Sequence, residues 1–208
     1  MKKLLHIIAT PRGEDSRTLK ISASFLEAFI KSHPGWTTDE LNLFKEKLPG
    51  LYMKQLDGKY MLSGGKELTR EALVAWQGII QHIKRFLSAD AYLVSTPMWN
   101  FSIPYLLKHY LDVIVQPKYL FRYTDTGTKE GLVKNKKMIV ITSSGGDYST
   151  PEASVFDHHE PYLRTIFGFI GIKDIEFIKA QPMDMGGGIQ TQKIYEAQAK
   201  AKEVASLF

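Results

Sequence analysis

Apolar side chains recur along this chain with two different periods, and the periods alternate. Residues 3–9 (KLLHIIA), the run opening at Ala91 (AYLVS) and residues 137–142 (KMIVIT) are continuously apolar, as strands of a parallel sheet are when helices cover both faces. Residues 36–43 alternate enough for a strand near a sheet edge, and residues 172–180 supply a fifth candidate. Between these runs the spacing changes to three and four. Leu19, Phe25, Leu26, Phe29 and Ile30 mark one amphipathic helix; Leu73, Val74, Trp76, Ile79, Ile80, Ile83, Phe86 and Leu87 mark a longer one within residues 69–87. Further helices are predicted over residues 103–115, inside 156–171 and over 190–207. Strand and helix therefore alternate from end to end. That predicts an α/β fold with one doubly wound parallel sheet, right-handed crossovers and a single domain over residues 1–208.

Two stretches break the alternation. Residues 44–68 carry Leu48, Leu51, Tyr52, Met53, Tyr60 and Met61 without a steady period and read as a surface excursion. Those side chains either cover the protein's own helices or meet a partner subunit. An aromatic segment starts at Tyr119 and runs to Leu132.

Composition narrows the function classes. Hydrophobic residues make up 44% and charged residues 24%, ordinary values for a globular enzyme. There is no cysteine, which excludes disulfides, thiolate catalysis and cysteine-held metals. The apolar run behind Met1-Lys2-Lys3 spans only about six residues, short for a signal-peptide core or a membrane span, so a soluble cytoplasmic protein is expected. Formal net charge is +5, yet the densest basic group, Lys134, Lys136 and Lys137, falls in a loop before a strand. Neither nucleic acid nor a membrane is expected as partner, whereas anionic ligands such as phosphates suit the charge.

The residues that carry chemistry follow three of the strands. After Ala9 comes Thr10-Pro11-Arg12-Gly13-Glu14-Asp15-Ser16-Arg17-Thr18 and then a helix. Unpaired N–H groups at a helix start bind anions, with Ser16 and Thr18 as hydroxyl donors and Arg12 or Arg17 as charge. Asp15 or Ser16 would also cap that helix, and the two roles are compatible. The loop lacks GxGxxG and GxxxxGK[ST], which indicates neither the usual dinucleotide fingerprint nor a nucleotide triphosphatase.

The second loop presents Pro97, Met98, Trp99, Asn100 and Phe101 before Ile103-Pro104 opens a helix. Rings and a thioether suit the faces of a flat heterocycle and Asn100 its edge; equally, the three apolar side chains would plug the end of the core. The third loop is Ser143-Ser144-Gly145-Gly146-Asp147, where small residues let a backbone approach a ligand. With strand order 2-1-3-4-5 the first, third and fourth strands are neighbours. Their loops would then share one crevice at the switch point where that order binds flavin mononucleotide (FMN).

Several motifs, in this order, resemble the FMN-dependent NADH-azoreductase family within the flavodoxin-like quinone reductases. They are Pro97-Met98-Trp99-Asn100-Phe101 with Pro104, Leu107-Lys108-His109-Tyr110-Leu111-Asp112, Phe121-Arg122-Tyr123-Thr124, Gly131-Leu132-Val133, Ser143-Ser144-Gly145-Gly146, Tyr162-Leu163 and Phe167-Gly168-Phe169-Ile170-Gly171. The resemblance covers nearly the whole chain. It implies a flavodoxin-like three-layer fold, non-covalent FMN and a homodimer with a site at each end of its interface. It also implies reduction of azo compounds and quinones by NADH or NADPH. By the same resemblance Thr10, Ser16, Arg17 and Thr18 match the phosphate loop, Met98 to Phe101 flank the flavin ring, and Ser143 to Gly146 approach its other edge. Phe121, Tyr123 and Phe169 match aromatic positions on the open face. Thr10 stands where serine is common, and Asp147-Tyr148 departs from the family pattern, which leaves acceptor preference open.

No catalytic acid, base or metal ligand is expected, because the flavin would carry the redox chemistry. His6, alone in an apolar run, reads as a hydrogen-bonded core residue. His158 and His159, adjacent and diverging, read as surface histidines. Competing readings are a reductase whose acceptor is a nitro compound or metal ion, a single-electron carrier, and a binding module that has lost its flavin.

Overall fold

The computed structural model describes residues 1–208. In chain order its elements are β1 (Lys2–Ile8), α1 (Arg17–Ser32), β2 (Trp36–Asn42), α2 (Met53–Ser63), α3 (Arg70–Leu87), β3 (Ala91–Pro97) and α4 (Tyr105–Ile114). There follow β4 (Phe121–Tyr123), β5 (Lys129–Gly131), β6 (Lys137–Ser143), α5 (Pro151–Ser154), α6 (Glu160–Ile170), β7 (Asp174–Ala180) and α7 (Ile189–Ser206). The central sheet is parallel, in the order β2-β1-β3-β6-β7. Leaving out the separate β4–β5 hairpin, this is the expected order 2-1-3-4-5.

Alternate residues of each strand feed two different cores, as the pleat requires. Leu4, Leu93, Ile139 and Ile141 pack with Phe25 and Phe29 of α1 and Ala197 and Ala201 of α7. Leu5, Ile7, Tyr92, Val94 and Val140 pack on the other face with Trp76, Ile79 and Phe86 of α3, Leu107 of α4 and Phe167 of α6. Both faces being covered explains why β1, β3 and β6 read as unbroken apolar runs. Truncating any of the buried Leu, Ile, Phe or Trp side chains among these to Ala costs about 2–5 kcal/mol.

The 44–68 stretch contains α2, a helix its spacing hides because only Gly58 and Leu62 are buried in it. Trp76 Nε1 of α3 donates to the Gln55 carbonyl at 3.0 Å, and a side chain at position 58 would collide with that indole. Leu48 and Leu51 pack inward, while Tyr52, Met53 and Tyr60 stay exposed, so the stretch covers its own helices and also presents apolar side chains outward. The aromatic segment at 119–132 is the β4–β5 hairpin. Its end is docked by a bond from Val133 N–H to the Ile170 carbonyl at 2.9 Å. A side chain at Gly131 would strike the backbone of Ile170 and Gly171, and Gly171 itself closes α6 at φ 110°.

His6 is a hydrogen-bonded core residue: its Nε2 lies 2.7 Å from Ser95 Oγ, which is 2.5 Å from Ser22 Oγ of α1. The surface reading of His159 is overturned. Preceding α6 as its N-cap residue, it is 3% exposed, with Nε2 3.3 Å from Thr96 Oγ1 at the end of β3; His158 alone faces solvent. Adjacency on a helix was the wrong premise, since His159 lies at its mouth.

Burial lowers the pKa of both His6 and His159 to about 4, so both are neutral at pH 7. The unfolded chain therefore takes up these protons first as pH falls. Stability should be full above pH ~6.5, decline towards pH ~4 and then level off, with about 5 kcal/mol lost between pH 7 and 4.5 through the two imidazoles. Urea titrations at pH 7 and 4.5 check this: in a His6→Gln/His159→Gln variant the decline should shrink by that amount, and an unchanged decline would contradict it.

Candidate functional site

The three strand ends stop at one level. Ser95 pairs with Ile8 on one side and Ile141 on the other, Ala9 N–H donates to the Ser95 carbonyl at 2.9 Å, and Met98 N–H donates to the Ser143 carbonyl at 2.8 Å. A cleft of about 140 Å³ opens there, lined from the first loop by Thr10, Arg12, Ser16 and Arg17. Pro97, Met98 and Trp99 line it from the second loop, and Ser143, Ser144 and Gly145 from the third. Asp184, beyond β7, completes the wall.

The first loop is arranged to receive negative charge. After a 3₁₀ turn at Gly13–Asp15, Ser16 caps α1, its Oγ accepting from Leu19 N–H at 3.3 Å and lying 3.0 Å from Thr18 Oγ1. No acidic residue occupies the first turn of α1, so its positive end is uncompensated there. Thr18 lines no part of the cleft; fully buried, it supports Ser16 from behind. Behind Thr18 runs a polar thread: Ser22 Oγ donates to the Thr18 carbonyl at 2.8 Å and meets Ser95 and His6 in turn.

The second loop turns sharply. Trp99 and Ser102 exchange both backbone hydrogen bonds at 2.9 Å, leaving Asn100 and Phe101 as the two central residues at φ 46° and 68°. Left-handed backbone is easy for Asn and costs about 1 kcal/mol for Phe, and such strain persists only where surrounding contacts fix it. Those contacts come from the residues before α6. His158 N–H donates to the Phe101 carbonyl at 2.9 Å, Ser102 Oγ approaches the His158 carbonyl at 3.4 Å, and Asp157 Oδ1 accepts from the N–H groups of His159 and Glu160.

Asn100 lines a larger recess of about 460 Å³ that shares Trp99 with the cleft and continues to Tyr105, Lys108 and Tyr162. Phe101 lies outside both, half exposed against Phe156 and Tyr148. Gly146 is exposed beside Tyr148. Phe121, Tyr123 and Phe169 cluster on the hairpin and α6, with centroids of Phe121 and Phe169 4.7 Å apart and of Phe121 and Tyr123 5.9 Å apart. None of these three lines the cleft or the recess.

Sequence reasoning stopped at three loops and missed Asp184. The available signal was its place at the carboxyl end of β7, next to β6, in the run Pro182-Met183-Asp184-Met185-Gly186-Gly187-Gly188. Asp184 Oδ1 pairs with Arg17 Nη1 at 2.8 Å. Arg12 forms no ion pair. Two guanidinium groups, a capped helix start and hydroxyls fit a phosphomonoester, and the enclosed volume suits that group rather than a tricyclic ring. A planar ring attached to such a group would lie outward along Met98 and Trp99. No cluster of metal-ligating side chains is present, and no helix is long and apolar enough to cross a membrane.

A family model described as the flavodoxin-like fold matches residues 2–205. The chain is 35% identical over 209 residues to an FMN-dependent NADH:quinone oxidoreductase of Coprothermobacter proteolyticus, covering all of both chains. It is 37% identical over 215 residues to an FMN-dependent NADH:quinone oxidoreductase 2 of Listeria innocua, again covering all of both. Among solved structures, an azoreductase from Bacillus anthracis str. Sterne superposes with a TM-score of 0.90 at 29% identity over all of both chains. An FMN-dependent NADH-azoreductase from Bacillus anthracis str. Ames Ancestor, solved in complex with FMN, superposes with a TM-score of 0.87 at 31% identity, over 100% of this chain and 99% of that one.

Ser16→Ala should lower stability by about 1 kcal/mol through loss of the α1 cap, whereas Ser16→Asp should keep the cap and place a carboxylate in the cleft. Urea unfolding of the two variants separates these outcomes; equal losses would show that capping is not what Ser16 supplies.

Proposed function

The chain belongs to the flavodoxin-like family of FMN-dependent NADH:quinone oxidoreductases and azoreductases, and on that premise we propose that it reduces quinones and azo compounds at the expense of NADH or NADPH. The observation that carries the reading is the convergence of Arg12, Ser16 and Arg17 with Met98–Trp99 and Ser143–Gly145 on one cleft. The names of the relatives support the same chemistry. Bound FMN would supply the hydride transfer between donor and acceptor.

The chain's own residues hold and orient. Arg12, Arg17 and the hydroxyls of Thr10 and Ser16 would take the phosphate by charge-assisted bonds. Thr18 acts through Ser16. Met98 and Trp99 would pack a ring face, with Asn100 at the edge of the neighbouring recess. Neither Asn100 N–H nor Gly145 N–H donates to a backbone carbonyl, so both are free to favour negative charge at the ring edge. No side chain is needed as acid or base, and neutral His159 acts by holding Thr96 beneath the turn.

The assembly proposed is a homodimer. Phe121, Tyr123 and Phe169 line no site of their own chain, so they would reach a ring only across an interface. The exposed Tyr52, Met53, Tyr60 and Tyr105 supply apolar surface for one.

Protein mixed with FMN and freed of excess should be yellow, lose its visible band on anaerobic addition of NADH and regain it with a benzoquinone or an azo dye; a colourless protein that takes up no FMN would remove the reading. Donor and acceptor sharing one open face should give parallel double-reciprocal plots, and intersecting lines would exclude that sharing. Trp99→Ala should raise the FMN dissociation constant about 2- to 10-fold through lost stacking, read by fluorescence titration.

A further inference from the structure

Asp184 is the part of the cleft that a phosphate site does not by itself require. Its carboxylate holds Arg17 at 2.8 Å, and its backbone N–H is bonded to the Gly145 carbonyl at 3.1 Å, beside that of Met183 at 3.0 Å. A side chain on Gly145 would strike Asp184 Oδ2, so the glycine leaves room for this carboxylate. The Arg17 side chain is 23% exposed and that of Asp184 68%, which puts the carboxylate at the mouth and the guanidinium inside. After Asp184 the chain is exposed and glycine-rich, with Gly187 and Gly188 at φ 72° and 80°. The carboxylate lies against the bare Cα of Gly145, and Arg17 is its one charged partner. Arg12 and Arg17 thus face one cleft, the first unpaired and the second holding a two-oxygen anion of the chain's own.

We propose that Asp184 sets the affinity of this subsite for phosphate: its carboxylate occupies the position on Arg17 that phosphate oxygens take, and an incoming phosphomonoester displaces it. The inference rests on the phosphate-binding reading of the cleft and adds an internal competitor to it. Two anions cannot share Arg17 at contact distance without repulsion, while a free Arg17 gives a planar pair of donors to either. Arg12 makes the first contact and Arg17 the second, once Asp184 has swung out on its glycine-rich follower. The sequence reading gave Gly145 to a flavin edge; its bare Cα also serves to seat the competitor.

The test is direct titration of the full-length protein, wild type and Asp184→Asn, with FMN, riboflavin and inorganic phosphate. Flavin binding is followed by fluorescence, and phosphate binding by the amide resonances of Ser16, Arg17 and Thr18. Releasing a partly exposed ion pair should tighten FMN and phosphate alike by about 2- to 5-fold and leave riboflavin unchanged. The gain should vanish in Asp184→Asn/Arg17→Ala. Unchanged or weaker phosphate binding by Asp184→Asn would overturn the proposal and make Asp184 a support for Arg17. Tightening of riboflavin to the same degree would overturn it too. Tighter phosphate with no FMN uptake by either protein would keep the competitor and remove the cofactor reading.

Discussion

The backbone ladder joining β1, β3 and β6 is what the remainder of this molecule depends on. Parallel pairing brings the carboxyl ends of all three strands to one edge, and the register sets Ile8, Ser95 and Ile141 side by side. The ladder continues one step past the strands, through Ala9 N–H to Ser95 and Met98 N–H to Ser143, so the loops leave already aligned. Such a ladder survives only when both faces are dry, which is the work of α1 and α7 on one side and α3, α4 and α6 on the other. A slip by one residue would turn every strand side chain to the wrong core and separate Ser16 from Gly145.

Within that frame the helix-start side of the cleft is tied down by buried hydrogen bonds. Ser16 and Thr18 are buried, and the thread from His6 through Ser95 and Ser22 to the Thr18 carbonyl ties the first turn of α1 to two central strands. Each of these buried polar atoms would cost about 1–3 kcal/mol if left unpaired, so the thread holds as a unit. Neutral His6 is the form that fits, because a charge there would have no counter-ion.

Periodicity made the sheet legible. Strands buried on both faces announce themselves, and so do helices with a wide apolar stripe such as α3; the strand-end rule then brings Thr10, Ser16, Arg17, Met98 and Gly145 together from sequence alone. What stayed hidden depends on contacts without a period. Helix α2 buries only two residues and is tied to α3 through Gln55, whose carbonyl accepts from the Trp76 indole and whose amide donates to the Ala75 carbonyl, so its spacing is silent. His159 is buried by the loop it clamps, a relation between residues 96 and 159 that no local pattern carries. Asp184 follows the edge-ward strand β7 and reaches the cleft by folding back over Gly145.

The two ends of the site are held by different physics, and this has a consequence for chemistry. The anion end is defined by charge and a fixed helix start, both indifferent to what lies beyond a phosphate. The Trp99–Ser102 turn is held in left-handed backbone by two bonds to His158, and its rings, Trp99 with Phe44 and Tyr105, meet at centroid distances of 6.0 and 6.4 Å beside open recess. Aromatic walls without fixed polar partners discriminate weakly among flat molecules, since stacking depends on area more than on pattern. On the proposed reading, specificity for a phosphorylated ligand and tolerance toward the molecule stacked beyond it would follow from separate loops. Substitutions in one are expected to leave the other intact, provided the β1–β3–β6 ladder that joins them is kept.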